Sequence, residues 1–211
     1  ALFCNDFKPL QNWLKISPKN CITVLDTHDG IGIIDVGPMD GKSGLLDNEQ
    51  IDQLVKQIHI NSNGESHQAT GAAASNVDLY QVNCSYYDAL AQNDFHYLVA
   101  RAIQFFSPGT PQVYYSGLLA ETNDMKLLSS TNVGRDINRP YLSVDDIETA
   151  NKKPITKGVQ ELIKLRNQSL AFNGTFDCSL QDNQLVMSWD NKSSVAKLSV
   201  NLNSKQVTIT L

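Results

Sequence analysis

The spacing of apolar residues changes at residue 174, and that change limits what the chain can fold into. Beyond it, Leu185, Met187 and Trp189 alternate with polar neighbours. So do Ala196, Leu198, Val200 and Leu202, and then Val207, Ile209 and Leu211. A period of two turns one face of a strand to a core and the other to water. Asp182-Asn183, Asp190-Asn191 and Asn203-Ser204 supply turns between such strands. The spacing predicts a small antiparallel sheet over 174–211, too thin to stand without a second layer.

Before residue 174 the period is that of a helix, broken by short apolar runs. In "DFKPLQNWLKI" (6–16), Phe7, Leu10, Trp13 and Leu14 share a face, and Pro18 ends the helix. A strand is expected at about 21–26. In "DNEQIDQLVKQIHI", Ile51, Leu54, Val55 and Ile58 line up, with Asp47 as N-cap and Gln50 three residues on. "DFHYLVARAIQFF" (94–106) carries Phe95, Leu98, Val99, Ala102, Ile103 and Phe106 on one stripe, stopped by Pro108 and Gly109. "PQVYYSGLL" (111–119) suggests the next strand. Pro154 opens a helix that buries Ile155, Val159, Leu162 and Ile163. The stretches 36–50, 61–76 and 121–140 suggest loops, and 77–90 an extended segment. Helices alternating with short strands are the pattern of a parallel sheet.

Hydrophobic residues make up 41% of the 211 and charged residues 18%, which supports a packed core. The formal net charge of −5 argues against nucleic acid or an anionic membrane as partner. Cys4, Cys21, Cys84 and Cys178 stand far apart with no CxxC spacing. That disfavours a zinc site or redox dithiol and suits a reducing cytoplasm. His59, His67 and His96 make no ligand spacing with carboxylates, and no calcium loop is present, so no metal is expected. No apolar run approaches the ~18 residues of a spanning helix. The chain opens on Ala1 without leader character, and is expected to be a piece of something longer.

The densest chemistry lies in "TVLDTHDGIG" (23–32). In a parallel βα array the loops after the strands carry the reaction. On a regular strand the neighbours His28 and Asp29 would face opposite ways, but a turn at Gly30 can bring both to the strand's mouth. A carboxylate there can stabilise positive charge on a reacting carbon, and an imidazole can bond a hydroxyl. On residue types alone the plainer reading leads: Asp29 caps the turn and His28 is a core histidine. The same holds for "GRDINR" (134–139), where Arg135 could be a surface residue or pair with Asp136. "NVDLYQVN" (76–83) could equally be a solvated connection. Tyr114 and Tyr115 suit core or wall packing better than a pocket, and Trp13 and Trp189 suit packing.

The stretch "LDTHDGIG" resembles the fourth conserved region of the α-amylase superfamily, glycoside hydrolase family thirteen. Its "THDGIG" form, in place of the commoner "NHD", is similar to that of the members that phosphorolyse sucrose. Five further stretches agree in order: "WLKISP" (13–18), "ATGAAASNVDLYQVN" (69–83), "ARAIQFFSPGTPQVYYSGLLA" (100–120), "TNVGRDINR" (131–139) and "LRNQSLAFNGTF" (165–176). The resemblance runs to about residue 176 and is highly specific.

It implies an α/β fold: the C-terminal part of a (β/α)8 TIM barrel, strands seven and eight with an inserted loop domain, then a small antiparallel β-sheet domain. The implied segments are 1–35 (end of barrel helix six and strand seven), 36–87 (loop domain over the site), 88–173 (last helices and strand eight) and 174–211 (terminal sheet). The family's aspartate nucleophile and glutamate acid/base precede the "THDG" strand. Only 22 residues come before Thr23, with Asp6 their sole carboxylate, so both groups are expected to be missing from this chain.

By the same resemblance Asp29 is the third carboxylate, which stabilises the transition state. His28 binds the glucosyl ring and Arg135 fixes its non-reducing end. Asp78 and Gln81 hold the fructosyl unit, and Tyr80 helps receive phosphate as its loop shifts. Arg139 stays undecided. The implied reaction is reversible glucosyl transfer from sucrose to phosphate, giving α-D-glucose 1-phosphate and fructose with retention and no cofactor. A homodimer is compatible with it. Two alternatives stay open: a sister phosphorylase acting on sucrose 6′-phosphate, glucosylglycerol or glucosylglycerate, and a non-catalytic folded piece with at most weak sugar binding. "DLYQ" favours free fructose.

Overall fold

The computed structural model describes residues 1–70 and 79–211. In chain order the helices are α1 (Lys8–Ile16), α2 (Asn48–Asn61), α3 (Glu65–Ala69), α4 (Tyr86–Ala89), α5 (Asp94–Phe106), α6 (Tyr115–Leu118), α7 (Met125–Thr131), α8 (Val144–Ala150) and α9 (Pro154–Gln168). The strands are β1 (Ile22–Thr23), β2 (Ile31–Gly32), β3 (Gln81–Val82), β4 (Thr110–Pro111), β5 (Thr175–Gln181), β6 (Gln184–Asp190), β7 (Val195–Asn201) and β8 (Gln206–Thr210). They group into two compact units.

The first unit takes residues 1–24, 98–112 and 158–211. Here β1 and β4 pair in parallel, Ile22 opposite Thr110 and Thr23 opposite Pro111. Parallel neighbours reached through a helix are what the alternating pattern requires. The buried Gln104 of α5 ties the pair, its Nε2 donating to the Thr23 carbonyl at 3.0 Å and to the Gln112 carbonyl at 2.8 Å. The strand expected over 21–26 pairs at only two residues, because β4 offers ladder partners nowhere else. Ile22 and Val24 stay exposed.

From β5 to β8 the chain is an antiparallel meander in sequence order, as the period of two predicts. Leu185, Met187, Trp189, Ala196, Leu198 and Val200 are buried. Asp182 and Asn183 make the first turn with left-handed φ of 46° and 63°, a conformation these residue types tolerate. The edge strand differs, since Val207, Ile209 and Leu211 are exposed and their alternation buries no face. Against the sheet lie α1, on β5, and a 3-10 turn over Leu170–Asn173, on β6 and β7, and α5 and α9 reach it through single groups. Trp189 Nε1 donates to the Phe106 carbonyl at 2.7 Å. Arg166 lies 4.4 Å over the Phe172 ring and 5.1 Å over Trp189, while its guanidinium donates to the Phe105 and Gly109 carbonyls at 3.0 and 2.7 Å. One cation thus closes a carbonyl at the end of α5 and another in the segment that follows, and stacks on Phe172 and the sheet's Trp189.

The second unit takes residues 25–97 and 113–157. The capping box that opens α2 is formed, with Gln50 N donating to Asp47 Oδ1 at 2.8 Å and Asp47 N to Gln50 Oε1 at 2.9 Å. Four expectations need correction. The stretch 61–76 contains α3, and 121–140 contains α7 and a 3-10 turn over Gly134–Asn138. The strand in "PQVYYSGLL" stops after Pro111, and Tyr115–Leu118 turns helical, held by a hydrogen bond from Tyr97 Oη to the Gly117 carbonyl. Among the described residues of 77–90, only Gln81–Val82 pairs as a strand before Ser85 caps α4. These helices are shorter than two full turns, so their apolar residues repeat too few times to show a period. They exist because tertiary partners close them. Leu128, Ile137 and Ala69 pack as the small core that holds α7, the 3-10 turn and α3 together.

Trp189→Ala is expected to lower unfolding free energy by about 3–5 kcal/mol. Trp189→Phe, which keeps a ring but orphans the Phe106 carbonyl, should cost about 1–3 kcal/mol. Urea unfolding followed by circular dichroism measures both, and equal losses would contradict a separate role for the hydrogen bond.

Candidate functional site

The second unit builds the site around a tight turn. Thr27 and Gly30 face each other across it, with Gly30 N donating to the Thr27 carbonyl at 3.2 Å and Asp29 N to Thr27 Oγ1 at 3.1 Å. Gly30 has a φ of +104°, where side chains other than hydrogen are strained. A Cβ there would also stand 2.5 Å from the Val82 carbonyl oxygen. The glycine therefore lets β3 come up against the chain just past Asp29. Ile31 pairs with Val82 and Gly32 with Gln81, and Ile33 N donates to the Tyr80 carbonyl at 3.0 Å. The "THDG" turn and the "LYQVN" stretch are thus zipped to each other by backbone bonds, although about fifty positions separate them in the sequence.

Asp29 is the focus. Its Oδ1 lies 3.4 Å from His28 Nε2, 3.1 Å from Arg135 Nη1 and 3.3 Å from Arg139 Nη2. Among the described residues no partner engages Oδ2. The carboxylate is 36% exposed, Arg135 50%, Arg139 31% and His28 64%. His28 is therefore not a core histidine, and Arg135 does not take Asp136; Arg139 approaches Asp136 instead, at 3.9 Å. A half-exposed carboxylate engaged on one oxygen, with no partner on the other among the described residues, can receive hydroxyl donors there.

Arg135 is aimed by a close approach of its own. A Cβ at Gly134 would stand 2.0 Å from the Ala69 carbonyl and 2.7 Å from Asn83 Nδ2, so only glycine lets the 3-10 turn press on the end of α3. Asn83 gathers the pieces. Its Nδ2 donates to the Ala69 carbonyl at 3.0 Å, its N to Thr70 Oγ1 at 3.3 Å, and its Oδ1 accepts from Gln81 Nε2 at 3.3 Å. Tyr80 is exposed and Gln81 half-buried, so both can meet a ligand. Asp78 lies outside the described residues.

Tyr114 and Tyr115 form an edge-to-face pair with centroids 4.6 Å apart. Tyr115 Oη donates to the Pro140 carbonyl at 2.7 Å. Burial first, and then the hydrogen bond with Tyr115, push the Tyr114 hydroxyl well above the ordinary tyrosine range, so it stays protonated. Of the residues singled out in the sequence, His28, Asp29 and Arg135 converge on one point, and Tyr80 and Gln81 are tied to the same turn through β2 and β3. Asn83 and the engagement of Arg139 were not anticipated. Arg139 did sit in a noted motif, but nothing in its spacing reveals which carboxylate it would meet. Among the described residues no group of three or more His, Cys, Asp or Glu could hold a metal ion.

No family model matches the chain. It is 55% identical over 212 residues to a sucrose phosphorylase of Agrobacterium vitis, covering 100% of this chain and 43% of that protein. It is 42% identical over 203 residues to a glucosylglycerol phosphorylase of Marinobacter adhaerens, covering 95% and 41%. The crystal structure of sucrose 6F-phosphate phosphorylase from Thermoanaerobacter thermosaccharolyticum superposes with a TM-score of 0.84 at 34% identity, covering 99% of this chain and 42% of that one. The chain therefore spans about two-fifths of the length of the relatives it matches.

Proposed function

We propose that this chain, which matches the C-terminal portion of sucrose phosphorylases along its whole length, supplies one wall of the active site of such an enzyme. The reaction is transfer of a glucosyl unit from sucrose to phosphate, giving α-D-glucose 1-phosphate and fructose with retention. The observation that carries this reading is Asp29, fixed at the mouth of the "THDG" turn with Oδ1 held by His28, Arg135 and Arg139 and with Oδ2 unpartnered among the described residues. A retaining reaction needs two further carboxyl groups about 5–5.5 Å apart, a nucleophile and an acid/base. The family resemblance puts both in the part of the enzyme that this chain does not span.

In this reading Oδ2 of Asp29 accepts from hydroxyls of the glucosyl ring on the side of the anomeric carbon that bears C2. Those bonds tighten as positive charge spreads over the ring, which is where a fixed carboxylate accelerates the step. The exposed imidazole of His28 holds a ring hydroxyl. Arg135, the more exposed guanidinium, swings onto the non-reducing end of the sugar. Tyr80 and Gln81 line the side where fructose leaves and phosphate enters, and the family resemblance assigns Asp78 to the fructosyl unit. The "DLYQ" stretch supports free fructose rather than a phosphorylated or three-carbon acceptor. We read 1–35 as the end of barrel helix six with strand seven, 36–87 as the loop domain, 88–173 as the last helices with strand eight, and 174–211 as the terminal sheet. Free thiols at Cys4, Cys21, Cys84 and Cys178 support a reducing, cytoplasmic setting.

Asp29→Asn in the complete chain that carries these residues is expected to lower kcat for sucrose by about three orders of magnitude or more, with thermal unfolding nearly unchanged. Release of glucose 1-phosphate, followed by a coupled assay, reads the loss. Near-normal turnover would remove the role given to Asp29. Tyr80→Phe and Gln81→Ala should weaken use of phosphate and of fructose unequally, measured by running the reaction in both directions. Parallel losses toward both would contradict a division of labour between the two residues.

A further inference from the structure

We propose that Arg139 is the positioning residue for Asp29: it sets where the carboxylate points and does not itself touch the sugar. The inference rests on the functional reading above and deepens it. The two arginines that reach Asp29 are held very differently. Arg135 meets Oδ1 through Nη1 at 3.1 Å and is half exposed. Arg139 engages the turn in two places at once. Its Nε donates to the His28 carbonyl at 2.8 Å, and its Nη2 to Asp29 Oδ1 at 3.3 Å. A backbone carbonyl and the next side chain are thereby gripped by one rigid plane, which a lysine could not copy.

The chain on either side of Arg139 is fixed as well. On one side the buried Asn138 donates from Nδ2 to the Thr27 carbonyl at 2.9 Å, the same carbonyl that closes the turn with Gly30 N. On the other, Pro140 has its φ locked by its ring, and its carbonyl accepts from Tyr115 Oη at 2.7 Å. Arg139 is also less exposed than Arg135, at 31% against 50%. When a sugar draws Arg135 away, the grip of Arg139 on Oδ1 persists. Oδ2 then keeps its direction without help from the ligand. Asn138 and the Tyr115–Pro140 bond hold Arg139, Arg139 holds Asp29, and Asp29 meets the substrate.

The test is a double-mutant cycle in the complete enzyme, with sucrose and phosphate as substrates. Arg139→Ala is expected to lower kcat about 100-fold with KM for sucrose within about 3-fold, because a misplaced group costs rate more than ground-state binding. Arg139→Lys should recover less than about a tenth of the wild-type rate. Arg135→Ala should instead raise KM. In an Asp29→Asn background, Arg139→Ala should cost less than about 3-fold, since the group it positions is already gone. A full 100-fold loss repeated in that background, or a loss carried by KM, overturns the role of Arg139 and leaves the functional reading standing. A wild-type enzyme that does not phosphorolyse sucrose overturns the functional reading, and this role with it. Thermal unfolding of each variant guards against loss of fold, and Arg139→Lys keeps the comparison meaningful if the alanine variant is unstable.

Discussion

The approach of the Val82 carbonyl to Gly30 is the contact on which the site depends. It requires a positive φ and an absent side chain at one position, and it brings together two stretches that the sequence keeps far apart. Without it β2 could not pair with β3, and Tyr80 and Gln81 would have no fixed relation to Asp29. Gly134 repeats the device, letting the turn that carries Arg135 press against the end of α3. Two missing Cβ atoms therefore set the relation among a carboxylate, an arginine and a polar loop. The buried asparagines Asn83 and Asn138 then join the pieces through backbone carbonyls.

The electrostatics follow from that geometry. Two guanidinium groups and an imidazole converge on one oxygen of Asp29, and every one of them is partly open to water. Exposed pairs of this kind contribute little to stability. Their value lies in direction: a carboxylate whose Oδ1 is taken presents Oδ2 at a defined angle. Such an arrangement suits a group that must be ready before a transition state forms. The same reasoning separates the two arginines, since the one anchored at a backbone carbonyl keeps its place while the freer one can answer a ligand.

How much of this could be read in the sequence differed by element. The terminal sheet was legible because three runs repeat a period of two, and Leu185, Met187 and Trp189 take the buried positions that their alternation assigns. The capping box at Asp47 and Gln50 was legible because its chemistry is local. The helices α3, α6 and α7 were not, because each spans seven residues or fewer and owes its existence to partners elsewhere in the chain. In the candidate site, His28, Asp29 and Arg135 were marked by the motif they share with a known family, whereas their residue types alone favoured plainer readings. Arg139 was visible as a residue but not as a partner: its neighbour in sequence is Asp136, and the carboxylate it reaches lies 110 positions away. Asn83 gave no signal, because an asparagine that bonds the Ala69 carbonyl, Thr70 and Gln81 looks in the sequence like any other polar residue in a loop.

The account stands on Asp29 presenting Oδ2 to a sugar while its other oxygen remains held. A crystal structure of the complete enzyme with glucose or α-glucose 1-phosphate bound tests this most directly. It should show Oδ2 within hydrogen-bond distance of a ring hydroxyl, with Arg139 still bridging the His28 carbonyl and Oδ1. A sugar bound without contact to Asp29, or a carboxylate turned away with Oδ1 released by Arg139, would contradict it.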